Sequence, residues 1–269
     1  MRWTHEAEAA IQKVPFFVRR KVRTRVEMEA ARSGKCVVTP AEVASSRQRY
    51  LSGMASEIKG YQVDGCFGAG GCPNRALRAD HLYERVAGIL ERADLLTFLK
   101  KTVSGDLKFH HEFRVSIAEC PNACSQPQIK DIGMIGACVP VIAGDGCTLC
   151  GACAEVCREE ALTLGAAGEA GAMGIDEAAC LGCGQCATVC PTGAVLQGTS
   201  GFRVQLAGKL GRHPRLAREL PGLFSEDQAC DIVQAAIELY KSRSTHGRRF
   251  SELFTDRDFE GFVERFAKR

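Results

Sequence analysis

Twelve of the chain's 15 cysteines fall into close groups, and their spacing is the feature of this sequence best suited to chemistry. Cys147, Cys150, Cys153 and Cys157 stand at C-x2-C-x2-C-x3-C. Cys180, Cys183, Cys186 and Cys190 repeat that spacing, and Pro191 follows. Three thiolates at three-residue steps wrap one face of a [4Fe–4S] cubane, and the fourth, after a short turn, reaches the other cluster of a pair. One cluster is therefore expected on Cys147, Cys150, Cys153 and Cys190, and a second on Cys180, Cys183, Cys186 and Cys157. Zinc ribbons pair two C-x2-C hooks and need no third cysteine in register, so two full repeats argue against structural zinc. Small residues between the ligands, Thr148 and Gly151 among them, leave room for backbone N–H groups to reach the sulfurs.

A third group is more dispersed. Cys66 and Cys72 are C-x5-C, Cys120 and Cys124 are C-x3-C, and 47 residues separate the pairs. Four such thiolates can hold another [4Fe–4S] cluster or a zinc ion, and spacing alone does not decide. Glycines at 68, 70 and 71 would let the backbone approach a cofactor closely. Cys36, Cys138 and Cys230 stand alone and read as buried small hydrophobes.

These groups need elements to position them. Residues 1–56 read as helical: Thr4 can cap a first helix, Pro15 interrupts, and Val18, Val22 and Val26 recur on one face. Thr39-Pro40-Ala41-Glu42 has capping-box spacing with proline at the first helical position, predicting a helix to about Leu51. Leu82, Val86, Ile89 and Leu90 mark another helix. Phe113–Ile117 alternates as a strand running into Cys120, with His110 and His111 as a polar pair before it, and Phe202–Leu206 alternates again. Ser225 and Gln228 form a second capping-box pair ahead of an amphipathic helix through Tyr240. Phe254, Phe259, Phe262 and Phe266 read as terminal packing residues. The cysteine-rich block at 142–198 looks inserted, leaving one domain in two pieces around it, 57–141 and 199–269. The fold class is α+β.

Composition limits the function classes. Hydrophobic residues make up 45% and charged residues 25%, as in ordinary globular chains, which excludes disorder and collagen. A formal charge of +3 is too small to argue for nucleic acid. No stretch reaches the ~20 apolar residues of a membrane span; the best run, Ile135–Ala143, contains Pro140. The first residues carry no apolar secretory segment. A cytoplasmic, reducing setting is the expectation, in which clustered cysteines read as metal or redox sites. Charge is unevenly spread. Residues 1–35 hold nine Lys or Arg against four Glu, crowded at Arg19–Arg25, while 142–198 holds seven Asp or Glu against one Arg. The basic run reads either as a solvated helix face or as a dock for an acidic surface or for cofactor carboxylates.

In spacing, acidity and its Cys-Pro ending, the block at 142–198 resembles bacterial two-cluster ferredoxins, although its first motif ends Cys157-Arg158. Cys72-Pro73 and Cys120-Pro-Asn-Ala-Cys124, followed by Asp131-Ile-Gly-Met-Ile-Gly136, resemble the sulfite and nitrite reductase family. That resemblance implies that Cys66, Cys72, Cys120 and Cys124 ligate a [4Fe–4S] cluster and that Cys124, the catalytic ligand, also bridges to the iron of siroheme. Gly208-Lys-Leu-Gly-Arg-His-Pro-Arg215 resembles a further segment of the family, particularly of dissimilatory sulfite reductases, which also carry an inserted ferredoxin block. The likeness covers roughly 57–269. Siroheme is a polycarboxylate and needs cationic donors at its rim; Arg75, Lys130, Lys209, Arg212, His213 and Arg215 lie in or beside the matching motifs.

One part of that family is missing. Its sulfite reductases carry a ferredoxin-like half-repeat before the C-x5-C motif, which supplies cations facing the bound anion. Here the preceding residues read as helices, and Trp3, Glu6-Ala7, Val14–Arg19 and Lys21–Arg23 resemble the small C-terminal domain of a light-independent protochlorophyllide reductase subunit. The expected function is an iron–sulfur and siroheme oxidoreductase. Electrons would pass through two ferredoxin-type clusters to a coupled siroheme–[4Fe–4S] centre that reduces sulfite, nitrite or a related small oxyanion. The alternative is an electron-transfer subunit of a larger redox complex that lacks its own complete substrate pocket. Either role implies an electron-donor protein or partner redox subunits, and an oligomer or complex.

Overall fold

The computed structural model describes residues 1–143, 146–165 and 173–267, with side chains except at 51–56 and 68–69. Parts of the 142–198 and 199–269 segments therefore lie outside the described residues, as do the surroundings of Gly68. The chain divides into two compact units.

The first unit is Met1–Ile58 with Asp106–His110. It contains β1 (Arg2–Trp3), α1 (His5–Gln12), α2 (Phe16–Arg32), β2 (Val37–Val38) and α3 (Pro40–Glu57). The Thr4 hydroxyl caps α1 by accepting from the Ala7 N–H at 3.3 Å. Pro15 lacks the N–H a continuing helix would need and stands between α1 and α2. At α3 the capping box forms: the Glu42 carboxylate accepts from the Thr39 N–H at 2.8 Å, and the Thr39 hydroxyl accepts from Ala41 N–H at 3.3 Å. The helix runs to Glu57, past the expected end near Leu51. The core is small: Ala7, Val26, Ala30 and Val38, with Trp3, Val22 and Val43 against them. β1 and β2 pair in parallel over two residues each, too short for any periodic signal. Cys36, beside β2, is exposed, so the reading of it as a buried hydrophobe is corrected; it lies in a turn outside that core. Part of the basic run is held within the unit. Arg23 grips Glu8 with two bonds of 2.8 and 2.6 Å and stacks 4.4 Å over Trp3. Arg25 pairs with Glu29, and Arg19 donates to the Gln12 and Val14 carbonyls.

The second unit, Lys59–Gly105 with His111–Arg269, is built on a five-stranded sheet. Its elements are β3 (Tyr61–Gly65), α4 (Asp80–Arg92), α5 (Leu95–Thr102), β4 (Phe113–Ala118), β5 (Ile132–Ile142), α6 (Ala152–Val156), β6 (Leu162–Leu164), β7 (Met173–Ile175), α7 (Gln185–Val189), β8 (Val195–Leu206), β9 (Arg218–Glu219), α8 (Glu226–Arg243), α9 (Phe250–Leu253) and α10 (Asp256–Phe262). The order is β3-β4-β5-β8-β9, with β3, β4 and β5 parallel and β8 and β9 antiparallel to their neighbours. The parallel step from β3 to β4 needs a crossover, which α4 and α5 provide. Leu82, Val86 and Leu90 of α4, Ile232, Val233 and Ala236 of α8, and Val115, Met134 and Val204 of the sheet are fully buried together in the core. β5 is buried on both faces through Cys138, as expected of a central strand.

β8 begins at Val195, seven residues before the expected Phe202. Its first half holds Gln197, Gly198, Ser200 and Gly201, which carry little strand propensity, but pairing with β5 (Val141 opposite Leu196, Ala137 opposite Gly201) holds them extended. The β5–β8 ribbon therefore reaches beyond the sheet and carries the cysteine-rich segment at its tip. A register shift between Cys138 and Pro140 marks where that segment returns to the ribbon: the Cys138 N–H donates to the Gly182 carbonyl at 2.7 Å, and Cys138 forms an isolated bridge with Cys183. Cys138 and Cys230 are buried. No helix among the described residues is long and apolar enough to cross a membrane.

Candidate metal centres

The two motif repeats each begin a short helix from a glycine in the left-handed region, Gly151 at φ +83° before α6 and Gly184 at φ +70° before α7. An L-residue would be strained there. Cys147, Cys150 and Cys153 line one pocket together with Cys190 from the other repeat. The Leu149 N–H points at the Cys147 sulfur at 3.4 Å, and the Val195 N–H at the Cys190 sulfur at 3.4 Å. That Val195 bond brings the Cys190 thiol down to about 7. Burial pushes the Cys153 thiol up, and Cys190 and Cys147 beside it add to the shift.

Cys180, Cys183 and Cys186 line a separate cleft of about 340 Å³ with Cys157 from the first repeat. The Cys186 thiol is pushed up to about 11, first by burial and then by the neighbouring Cys183 and Cys180. The structure thus brings together two four-cysteine sets, each with three members from one repeat and one from the other.

The third set assembles from strand ends. β3 and β4 pair in register from Tyr61 opposite Phe113 to Gly65 opposite Ile117, so Cys66 and Cys120 leave the sheet at neighbouring points. The Cys66 N–H donates to Ile117 O at 3.1 Å. Cys72 follows a 3-10 turn over Phe67–Gly70, and Gly71, at φ +96°, has open space where a side chain would stand. Cys124 follows a turn through Ala123 at φ +52° and is exposed, and its sulfur accepts from the Asn122 amide at 2.9 Å. Burial pushes the Cys120 thiol up, and Cys124, Cys66 and Cys72 are the charges that reinforce the shift. The four cysteines therefore share one neighbourhood.

Glu119 ties that neighbourhood together, and nothing in the sequence marked it. Its N–H donates to the Cys66 sulfur at 3.3 Å, and its carbonyl accepts from Ala76 and Leu77 at 2.8 and 3.1 Å. Its buried carboxylate accepts from the Ala79 N–H at 2.9 Å, at the start of α4.

All three sets suit cubanes: all-thiolate donors, backbone N–H groups aimed at sulfur, and small or left-handed residues beside the ligands. A cubane binds each thiolate to a different iron, so its sulfurs need not converge on one point as zinc ligands must. Among the described residues, no three His, Cys, Asp or Glu side chains close around a single ion.

The cationic candidates divide. Lys130 pairs with Asp64. Lys209 lies 3.8 Å from Glu252. The Arg215 guanidinium donates to Ala207 O at 3.3 and 3.1 Å and to Ser251 O, which commits it to holding chain segments together. Lys209 and Arg215 exchange backbone bonds of 2.8 and 2.9 Å, forming a tight loop that presents Arg212 and His213 to solvent. Arg75 is half-buried in the loop after Cys72. A further buried pair was not legible in the sequence. Asp131 accepts from the Arg114 N–H at 2.9 Å and lies 3.7 Å from Arg249. Burial pushes its carboxyl up against the pull of Arg249.

Two family models match successive parts of the chain. Residues 3–47 match the family described as proto-chlorophyllide reductase 57 kD subunit. Residues 62–269 match the nitrite and sulphite reductase 4Fe-4S domain. Among curated proteins, the chain is 43% identical over 54 residues to the coenzyme F420-dependent sulfite reductase of Methanocaldococcus jannaschii, covering 20% of this chain and 9% of that one. It is 47% identical over 53 residues to a subunit of the light-independent protochlorophyllide reductase of Chlorobium limicola, covering 20% and 10%. A crystal structure of dissimilatory sulfite reductase I aligns over 77% of this chain and 52% of that one, at 16% identity and a TM-score of 0.48. NirA of Mycobacterium tuberculosis aligns over 73% and 26%, at 18% identity and 0.40. The chain thus spans about a tenth of the curated relatives and about half of the first structural one. With the family match running over most of its length, from the second residue of β3 to the last residue, the chain belongs to the nitrite and sulphite reductase 4Fe-4S domain family of oxidoreductases.

Proposed function

We propose that this chain is a cytoplasmic iron–sulfur oxidoreductase whose third cysteine set, Cys66, Cys72, Cys120 and Cys124, holds a [4Fe–4S] cluster coupled to siroheme, for reduction of sulfite, nitrite or a related small oxyanion. The observation that carries this reading is the meeting of those four cysteines at the paired ends of β3 and β4, inside the span of the family match. When bound, the clusters would supply one-electron steps and siroheme would supply the iron at which the anion is reduced. The protein's own contribution is positioning. Asn122 donates to the Cys124 sulfur, the candidate bridge, and the Cys66 sulfur accepts the Glu119 N–H; such bonds stabilise thiolate charge and tune potential. Arg212, His213 and Arg75 are the rim residues best placed to receive cofactor carboxylates, since Lys130, Lys209 and Arg215 already have protein partners. The two ferredoxin-type sets, Cys147, Cys150, Cys153, Cys190 and Cys157, Cys180, Cys183, Cys186, serve as a relay from an electron-donor protein or partner subunit.

A second reading, an electron-transfer subunit within a larger complex, is favoured by one observation. The residues ahead of β3 form a unit of three helices and two two-residue strands, unlike a ferredoxin-like half-repeat, so this segment does not supply that half-repeat's cations. An absorption spectrum and iron count of anaerobically purified protein separate the two. Soret and α bands with about 13 iron per chain support the enzyme, and a broad cluster shoulder with about 12 iron supports the subunit. Zinc as the sole metal refutes both. Turnover of sulfite or nitrite with reduced viologen then tests catalysis directly.

A further inference from the structure

The geometry points to an order for the two ferredoxin-type sets: Cys157, Cys180, Cys183 and Cys186 form the output end beside the third set, and Cys147, Cys150, Cys153 and Cys190 form the receiving end. This deepens the proposed function and rests on its reading that all three sets hold clusters.

Three observations carry it. The cleft lined by Cys157, Cys180, Cys183 and Cys186 is lined on another side by Cys120, Pro121 and Asn122, so the output set and a ligand of the third set face one space. The pocket of the receiving set contains no residue of the third set. Second, the output loop is seated on the sheet. Cys138 N–H bonds Gly182 O at 2.7 Å, and a Cβ at Gly184 would stand 3.2 Å from the Cys138 Cβ. Two residues back along β5, a Cβ at Gly136 would stand 2.9 Å from Glu119 O, next to Cys120. One short stretch of a buried strand therefore fixes the output loop and the third set relative to each other. Third, Cys150 of the receiving set is exposed, as are Thr148 and Leu149 beside it, whereas every cysteine of the output set is half-buried or buried. Electron tunnelling falls exponentially with separation, so the set sharing a cleft with Cys120 is the one that delivers. Each transfer moves one electron from a one-electron donor to the receiving set, onward to the output set and then to the third, with no bond made or broken.

The test uses the full chain, purified anaerobically and reduced with dithionite, read by low-temperature EPR. A paramagnetic neighbour broadens the signal of the third centre. Cys183→Ala should abolish that broadening and Cys150→Ala should retain it, each variant losing about four iron. The reverse pattern overturns the order. If Cys183→Ala loses more iron than that, Cys138→Leu is read instead. It keeps all twelve ligands but crowds the Gly182–Gly184 seat, and it should weaken the broadening; an unchanged signal overturns the order. A parent protein with no third-centre signal refutes the proposed function itself, whereas reversed broadening refutes only the order.

Discussion

The ferredoxin-type sets and the third set solve one ligand problem by opposite routes. In the segment between β5 and β8, three of each set's four thiols arrive within seven residues, on loops shaped by Gly151 and Gly184. In the third set, two pairs separated by a helical crossover meet only because β3 and β4 pair in register. Local sites depend on turn chemistry and long-range sites on the sheet. Damage to the sheet should therefore separate them.

The largest effect is expected at the ligand itself. Cys124→Ser should abolish viologen-driven anion reduction and uncouple siroheme from its cluster, while the ferredoxin-type EPR signals persist. Equal loss of every cluster signal would contradict separate sites. Next is the buried pair at the start of β5. Asp131→Ala leaves Arg249 and the Arg114 N–H without their acceptor, at a cost of about 3–5 kcal/mol in urea unfolding. A cost below about 1 kcal/mol would mean that Arg249 reaches water. Glu119→Ala sharpens the comparison further. It strands the buried Ala79 N–H at about 1–3 kcal/mol and should remove about four iron from the third set, leaving about eight on the ferredoxin-type sets. Full iron content would show that the backbone alone holds the loop.

The helical unit gives the smallest effect. Burial pushes Glu29 up, but bonds from Arg49, Ser46 and Arg25 outweigh it and leave the carboxyl at about 2. The Lys35 bond, with help from Thr39, brings Glu42 to about 2. Both lie below the unfolded value of about 4.3. Their contribution is thus present above that value and lost as pH falls toward about 2. Circular dichroism at 222 nm should show the helices weakening across this window, and Glu29→Gln should flatten the change.

Where a signal is carried by neighbours in sequence, it was legible. The capping boxes at Thr39 and Ser225 form as their spacing predicts, and Leu82, Val86, Ile89 and Leu90 are the buried face of α4. Where partners are distant, it was not. Lys130 reads as a cofactor-facing cation until Asp64, 66 residues away, is found beside it. Arg215 reads the same way until the fold hands it the carbonyls of Ala207 and Ser251. Glu119 carried no motif, because its role lies in bonds to Cys66 and to the Ala76–Ala79 stretch, which only the folded chain brings to it.

By itself the amino-acid order determined which chemistry is available here, since cysteines a turn apart can bind only what a turn can enclose. The tertiary structure brought Cys66 and Cys72 to Cys120 and Cys124, which spacing left open, and it decided that one ferredoxin-type set rather than the other would share a cleft with Cys120. Strand pairing and the seat at Cys138 act between residues far apart along the chain, where spacing holds no information about distance.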